Sequence, residues 1–126
     1  LQRAVSTTIR EMNHDYWTGT VYTTNRRVWD HDEDFKNYLR AVRAMAFDME
    51  TATLFVTGFA NSIPVGALLL VSDQPMIPEG VKTDQSDAVV TKNYVNDHIE
   101  IGIKSLQEIK NKGKSVKHLK FSYSED

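Results

Sequence analysis

Three carboxylates stand where an acid is least at home. Asp48 and Glu50 interrupt the stretch AFDMETATLF (46–55), otherwise apolar or small, and Asp73 directly follows the apolar run VGALLLVS (65–72). An ionised carboxylate taken into apolar surroundings needs partners, so each of these acids either organises a turn or meets a ligand. A carboxylate can accept hydrogen bonds from a ligand, and a carboxyl kept protonated by desolvation can act as a general acid. Arg26 and Arg27, in TTNRRVW (23–29), add forked donors that suit phosphate oxygens, with the hydroxyls of Thr23 and Thr24 beside them. Each residue also has a plainer reading. Glu50 fits a first-turn acid facing free helix N–H groups, Asp73 fits a turn before Gln74 and Pro75, and the arginine pair fits a solvated loop.

The elements that must position these groups can be read from spacing. Leu1, Val5, Ile9 and Met12 recur at helical intervals and predict a helix over 1–12, with Arg3, Arg10 and Glu11 on its wet side. TGTVYTT (18–24) is β-branched and aromatic, as a strand should be. Phe35, Tyr38, Leu39 and Val42 form the next helical stripe over 32–43, with acids at its front and Lys36, Arg40 and Arg43 at its back, which complements the helix dipole. AMAF (44–47) reads as a short buried strand, and Ala52, Phe55, Val56 and Phe59 restart a helix that ends before NSIP (61–64). VGALLLVS, apolar without alternation, predicts a central strand buried on both faces. DQPMIPEG (73–80) is a loop by its proline and glycine content. From about Asp84 a long helix follows, its buried stripe expected at Ala88, Thr91, Val95, Ile99, Gly102, Leu106 and Ile109, with Asp84, Ser86 and Asp87 capping its start rather than forming a lid. Helices alternating with strands argue for an α/β layered sheet.

Composition bounds the function. With 126 residues the chain fits one domain. Its 17 acidic and 15 basic residues leave a net charge of −2, which gives no general electrostatic case for nucleic acid or an anionic membrane. The absence of cysteine excludes disulfides and thiolate metal sites and suits a reducing cytoplasm. No apolar run approaches the ~20 residues of a spanning helix, and no signal-peptide pattern opens the chain, so a soluble protein is expected. The chain starts at Leu1 without an initiator Met, inside a helical pattern, which suggests a processed or truncated piece. The lysine-rich end, 111–126, is expected to be a solvated helix end and tail, the alternative being a basic contact patch.

The segment RAMAFDMETATLF (43–55), followed by GALLLVSDQP (66–75), resembles the C-terminal half of the purine nucleoside phosphorylase and nucleosidase superfamily. With GTVYTTNRRVWDHD (19–32) added, the chain is most similar to its AMP-cleaving branch as far as about Ile109. The resemblance implies a three-layer α/β fold of nucleoside phosphorylase type, with a central mixed sheet of which only the C-terminal half, 1–110, is present. It implies hydrolysis of the N-glycosidic bond of AMP to adenine and ribose 5-phosphate, in purine salvage, by a cytoplasmic homo-oligomer built from dimers and without a cofactor. Asp73 is then the acid serving N7 of the purine, Glu50 grips the ribose hydroxyls and Met49 packs on the sugar, a thioether being soft and polarizable. Arg27, matching an arginine of the family motif, is preferred over Arg26 for the 5′-phosphate, and Tyr22 and Thr23 line the purine pocket. Asp48 is left to cap or brace the turn, and Trp29 to serve as core or subunit contact. The family's glycine-rich phosphate loop is not visible in the chain, so the chain by itself is expected to show little turnover and to associate with a missing half or with copies of itself.

Other readings stay open at this level. A phosphorylase would use inorganic phosphate as nucleophile and take unphosphorylated nucleosides, and a silent nucleotide-binding or assembly module would need no chemistry. WDHDEDF (29–35) crowds His31 among four acids, but neighbours in a helix diverge, so an acidic helix start is favoured over a metal site. His14, His98 and His118 are scattered, and Lys82 either meets a phosphate or is solvated.

Overall fold

The computed structural model describes residues 1–112. In chain order these form α1 (Gln2–Glu11), β1 (Thr20–Thr23), α2 (Glu33–Ala41), β2 (Ala44–Asp48), α3 (Thr51–Ala60), a single 3-10 turn (Pro78–Gly80) and α4 (Asp84–Lys112). The expected alternation of helix and strand is present, and the sheet among these residues is one parallel pair, β1 beside β2.

The β1–α2–β2 unit holds the better-packed core. Asp32 caps α2 with its carboxylate, accepting the Phe35 N–H at 2.9 Å, so the front of the helix is fixed by one side chain as well as by dipole complementarity. Arg43, at φ 54, ends the segment in a left-handed turn, its N–H donating to the Arg40 carbonyl at 3.0 Å. Between those ends Phe35 and Leu39 face inward, one helical turn apart, and pack with Trp29 into a buried cluster that Tyr22, Ala44, Phe47 and Met76 flank. Trp29 meets Phe35 and Phe47 edge to face, with ring centroids 5.3 and 5.2 Å apart, a geometry that aligns ring edges with ring faces. Trp29 is therefore a core residue. Lys36 is also buried, and Glu33 takes its ammonium at 3.1 Å.

The strands pair Val21 with Ala46, Tyr22 with Phe47 and Thr23 with Asp48, and the register shifts between Thr20 and Val21. Met45 is the extra residue, and its side chain lies against the backbone at Gly19, where a Cβ would collide with it.

α1 packs against α4, and Thr8, Ile9, Ile101 and Ser105 are buried on these two helices. The periodicity of α1 predicted this face, but α4 departs from its predicted stripe: Ala88, Thr91, Ile99 and Leu106 are exposed. A 29-residue helix with apolar residues on several sides has no single stripe to declare, and α1 engages the side that carries Ile101 and Ser105. α4 begins with a reciprocal cap: the Ser86 N–H donates to Thr83 Oγ1 at 3.1 Å and the Thr83 N–H to Ser86 Oγ at 3.0 Å. Asp87 pairs with Lys82 at 2.8 Å instead of capping.

The predicted central strand VGALLLVS is not built into the sheet. Residues 63–74 run without a regular ladder, and most of 65–72 is exposed or half-buried. An apolar run becomes a buried strand only where ladder partners flank it and helices cover it, and among the described residues the two strands present pair with each other. α3 contacts this segment closely: Gly58 is buried, and a Cβ there would lie 2.9 Å from the Ile63 carbonyl and collide with Val65. The other faces of α3 are open, with Phe59 81% and Val56 69% exposed. α4 continues to Lys112. The rest of the lysine-rich tail, 113–126 with His118, lies outside the described residues. No helix among the described residues is long and apolar enough to cross a membrane.

Candidate functional site

β1 and β2 end side by side at Thr23 and Asp48, and ligands of open α/β sheets bind beyond such carboxyl ends. A cleft of about 880 Å³ opens there, with Tyr22, Thr23, Arg26, Tyr38, Met49 and Thr53 among its lining. Tyr22 stands edge-on to both Phe35 and Tyr38, at centroid distances of 5.9 and 5.7 Å, while Phe35 and Tyr38 stack at 6.5 Å. One wall is therefore aromatic and the rim is polar.

The floor is fixed by a small polar network. Thr23 donates its hydroxyl to Asp48 Oδ1 at 2.7 Å and accepts the Ala52 N–H at 2.9 Å. The other oxygen of Asp48 accepts the Thr51 N–H at 2.8 Å and the Thr51 hydroxyl, and the Asp48 carbonyl takes the Thr24 N–H at 2.8 Å. Asp48 thus braces the turn, as its sequence position suggested, and answers why this acid enters an apolar stretch: both of its oxygens are satisfied.

Glu50 stands at the N-cap position of α3 yet makes no side-chain cap. Its carboxylate is exposed and accepts the Met49 N–H at 3.2 Å. Met49 lines the cleft, 46% exposed.

The two arginines differ. Arg26 lines the cleft but is engaged, pairing with Asp32 at 2.7 Å and lying over the Phe35 ring with its guanidinium carbon 4.5 Å from the centroid. Arg27 is exposed, makes no ion pair or side-chain hydrogen bond with another described residue, and is not part of the lining.

Asp73 lies away from the cleft wall. It is half-buried, accepts the Ser72 hydroxyl at 2.5 Å, and belongs to the segment that has no ladder. Nearby, the hydrogen bond that the Lys82 ammonium donates to Asp87 holds it above its ordinary lysine value, and the negative charges of Asp87 and Asp73 act in the same direction against partial desolvation.

The structure thus brings Tyr22, Thr23, Arg26 and Met49 to one cleft, sets Glu50 beside it, and leaves Arg27 and Asp73 outside its lining. Tyr38, Thr53 and Asn25 also line it and were not singled out from sequence. Tyr38 was hidden in the predicted core stripe of α2, where its polar tip was the available signal. Among the described residues no three His, Asp or Glu side chains converge as a metal site; Asp32 is occupied as a cap, and His31 faces Asp30 at 3.6 Å.

A protein-family model described as the phosphorylase superfamily matches residues 1–107. AMP nucleosidases of Escherichia coli, from strains K12 and O157:H7, are 33% identical over 97 residues, which cover 76% of this chain and 20% of theirs. A solved structure, the AMP nucleosidase of Bacteroides thetaiotaomicron VPI-5482, superposes with a TM-score of 0.70 at 52% identity, covering 87% of this chain and 42% of that one. The chain therefore spans about a fifth of the length of these curated relatives.

Proposed function

The chain belongs to the phosphorylase superfamily, and from that membership we propose that it forms the sugar- and purine-holding part of an enzyme that hydrolyses AMP to adenine and ribose 5-phosphate. The observation that carries this reading is the 52% identity, over 87% of the chain, to an AMP nucleosidase. In the proposed reaction the C1′–N9 bond breaks with its electron pair going to the purine, a water oxygen bonds to C1′ and gives up a proton, and the purine gains a proton at N7. Positive charge grows on the ribose and negative charge on the base as the bond stretches.

Asp73 is the proposed donor at N7. General acid catalysis contributes about 10²- to 10⁴-fold, or about 3 to 5 kcal/mol. Its role requires the 65–72 run to join the sheet parallel to β2, which brings Asp73 to the edge where Thr23 and Asp48 already end. The same insertion surrounds it with apolar side chains, the environment that favours a neutral carboxyl. Glu50 grips the ribose hydroxyls, supported by its exposed carboxylate one residue from the cleft-lining Met49. Arg27 meets the 5′-phosphate, supported by a guanidinium that has no partner among the described residues, and Arg26 assists from the cleft. Tyr22 and Thr23 face the purine.

In this reading the enzyme serves purine salvage, as the proposed reaction implies, works in the cytoplasm, which a cysteine-free sequence suits, and assembles from dimers, which the open apolar side of α3 supports. The test supplies AMP or adenosine, with and without inorganic phosphate, to the full-length protein that carries this chain and follows adenine release. Phosphate-independent cleavage of AMP is expected. Adenosine cleavage that depends on phosphate and yields ribose 1-phosphate would replace the hydrolase with a phosphorylase, and AMP affinity without product would leave a silent binding module.

A further inference from the structure

Thr51 and Ala52 open α3 with N–H groups that have no intrahelical acceptor, and an acid at the N-cap is drawn to such donors. Glu50 occupies that position, and its side chain takes neither of them. Both are already claimed, the Thr51 N–H by Asp48 Oδ2 at 2.8 Å and the Ala52 N–H by Thr23 Oγ1 at 2.9 Å. Thr23 and Asp48 are register partners at the ends of β1 and β2 and are themselves bonded at 2.7 Å.

One oxygen of the Glu50 carboxylate accepts the Met49 N–H at 3.2 Å. We infer that Thr23 and Asp48 are positioning residues that keep this carboxylate from being further engaged by the start of α3 and so leave it available for the substrate's ribose, a role that rests on the reading of Glu50 given above. They act in two ways. Asp48 closes a bracket onto Thr51, so the two intervening residues, Met49 and Glu50, are held at both flanks. Thr23 occupies the Ala52 donor, which would otherwise compete with the ribose diol for the Glu50 oxygens. Thr23 therefore contributes to affinity through its hydroxyl's bond to the backbone, independently of any contact with the purine. The bond energy involved is that of a hydrogen bond to a charged group, enough for about a tenfold change in affinity.

The experiment uses the full-length protein that carries this chain, with AMP and 2′-deoxy-AMP as paired substrates and Glu50→Gln as the reference variant. Thr23→Val should raise KM for AMP about tenfold more than it raises KM for the deoxy substrate, because any contact with the purine is common to both and only the deoxy substrate has already lost the diol. Thr23→Ser should restore the parent value. In a Glu50→Gln background, that extra loss on AMP over the deoxy substrate should disappear. Equal losses on both substrates, or full additivity with Glu50→Gln, would overturn the positioning role. Should Thr23→Val fail to fold, Asp48→Asn carries the same comparison, with the same expected pattern and the same overturning result. If Glu50→Gln itself leaves KM for AMP unchanged, the ribose reading is what falls; a Glu50→Gln defect without a Thr23→Val defect overturns the positioning role alone.

Discussion

The β1–α2–β2 unit and the 51–73 segment end in opposite conditions, and the more apolar of the two sequences is the more exposed. In the first, Leu39 is 1% exposed and the rings of Trp29, Phe35 and Phe47 lock edge to face. In the second, α3 and the run after it leave Leu54, Val56, Phe59, Ile63 and Val71 in contact with solvent. Hydrophobicity alone did not decide the outcome. The first unit finds its partners among its own residues, since a parallel pair needs only its crossover helix to close one face, whereas a strand meant for burial on both faces needs neighbours on both edges. The unit that can complete itself carries stability, and the unit that cannot carries an acid proposed for chemistry.

That contrast breaks most decisively at Asp73. In the full-length protein, Asp73→Asn should lower the rate of adenine release by about 10²- to 10⁴-fold while leaving the melting temperature within a degree or two of the parent, roughly the effect of a neutral surface change. A comparable loss of stability would mean that Asp73 holds its segment in place rather than serving the reaction. The packed unit should behave in the reverse way. Leu39→Ala should cost about 2–5 kcal/mol in denaturant unfolding, with the rate per folded molecule close to the parent's.

These two unequal regions were not equally legible in the sequence. Helical spacing found α1 and α2 to within about two residues, because an amphipathic stripe reports its own buried face. It also found α3 and the start of α4. The stripe on α4 misled because the helix presents apolar residues on several sides and only packing chooses among them. The 65–72 run misled for the reason already given. At the site, the brace role of Asp48 followed from its position before a helix, since Asp48 and Thr51 have the spacing of a side-chain cap. The engagement of Thr23 could not be read, because it depends on the register that sets it opposite Asp48. Arg27 is preferred over Arg26 in the sequence through the resemblance alone, and what separates them in space, the pairing of Arg26 with Asp32 and its place in the cleft lining, could not be read there.

Smaller effects sharpen the comparison further. Phe59→Ala, in the 126-residue chain alone, should change unfolding free energy by less than about 0.5 kcal/mol, as for a surface substitution, although the same change in the packed unit would be severe. A value of several kcal/mol would mean that copies of the chain bury α3 in solution, which sedimentation at increasing concentration would detect. The smallest effect belongs to Lys82. Its ammonium is held above the ordinary lysine value by Asp87, so the pair's contribution is fully present below the unfolded lysine's pKa and fades as pH rises through the folded one. Alkaline titration of Lys82→Gln beside the parent should show their stabilities converging only at that high pH, with the difference reduced by salt because the pair is exposed.

Asp32 serves two masters through different oxygens: Oδ1 accepts the Phe35 amide and Oδ2 the guanidinium of Arg26. The arginine can therefore be lent to an incoming anion without unravelling α2, because the amide bond that starts the helix does not depend on it. What is surrendered is an exposed ion pair of about 0–1 kcal/mol and the contact with the Phe35 ring, about 0.5–1 kcal/mol at an exposed site, a low threshold for a side chain that would have to swing each time a phosphate arrives and leaves.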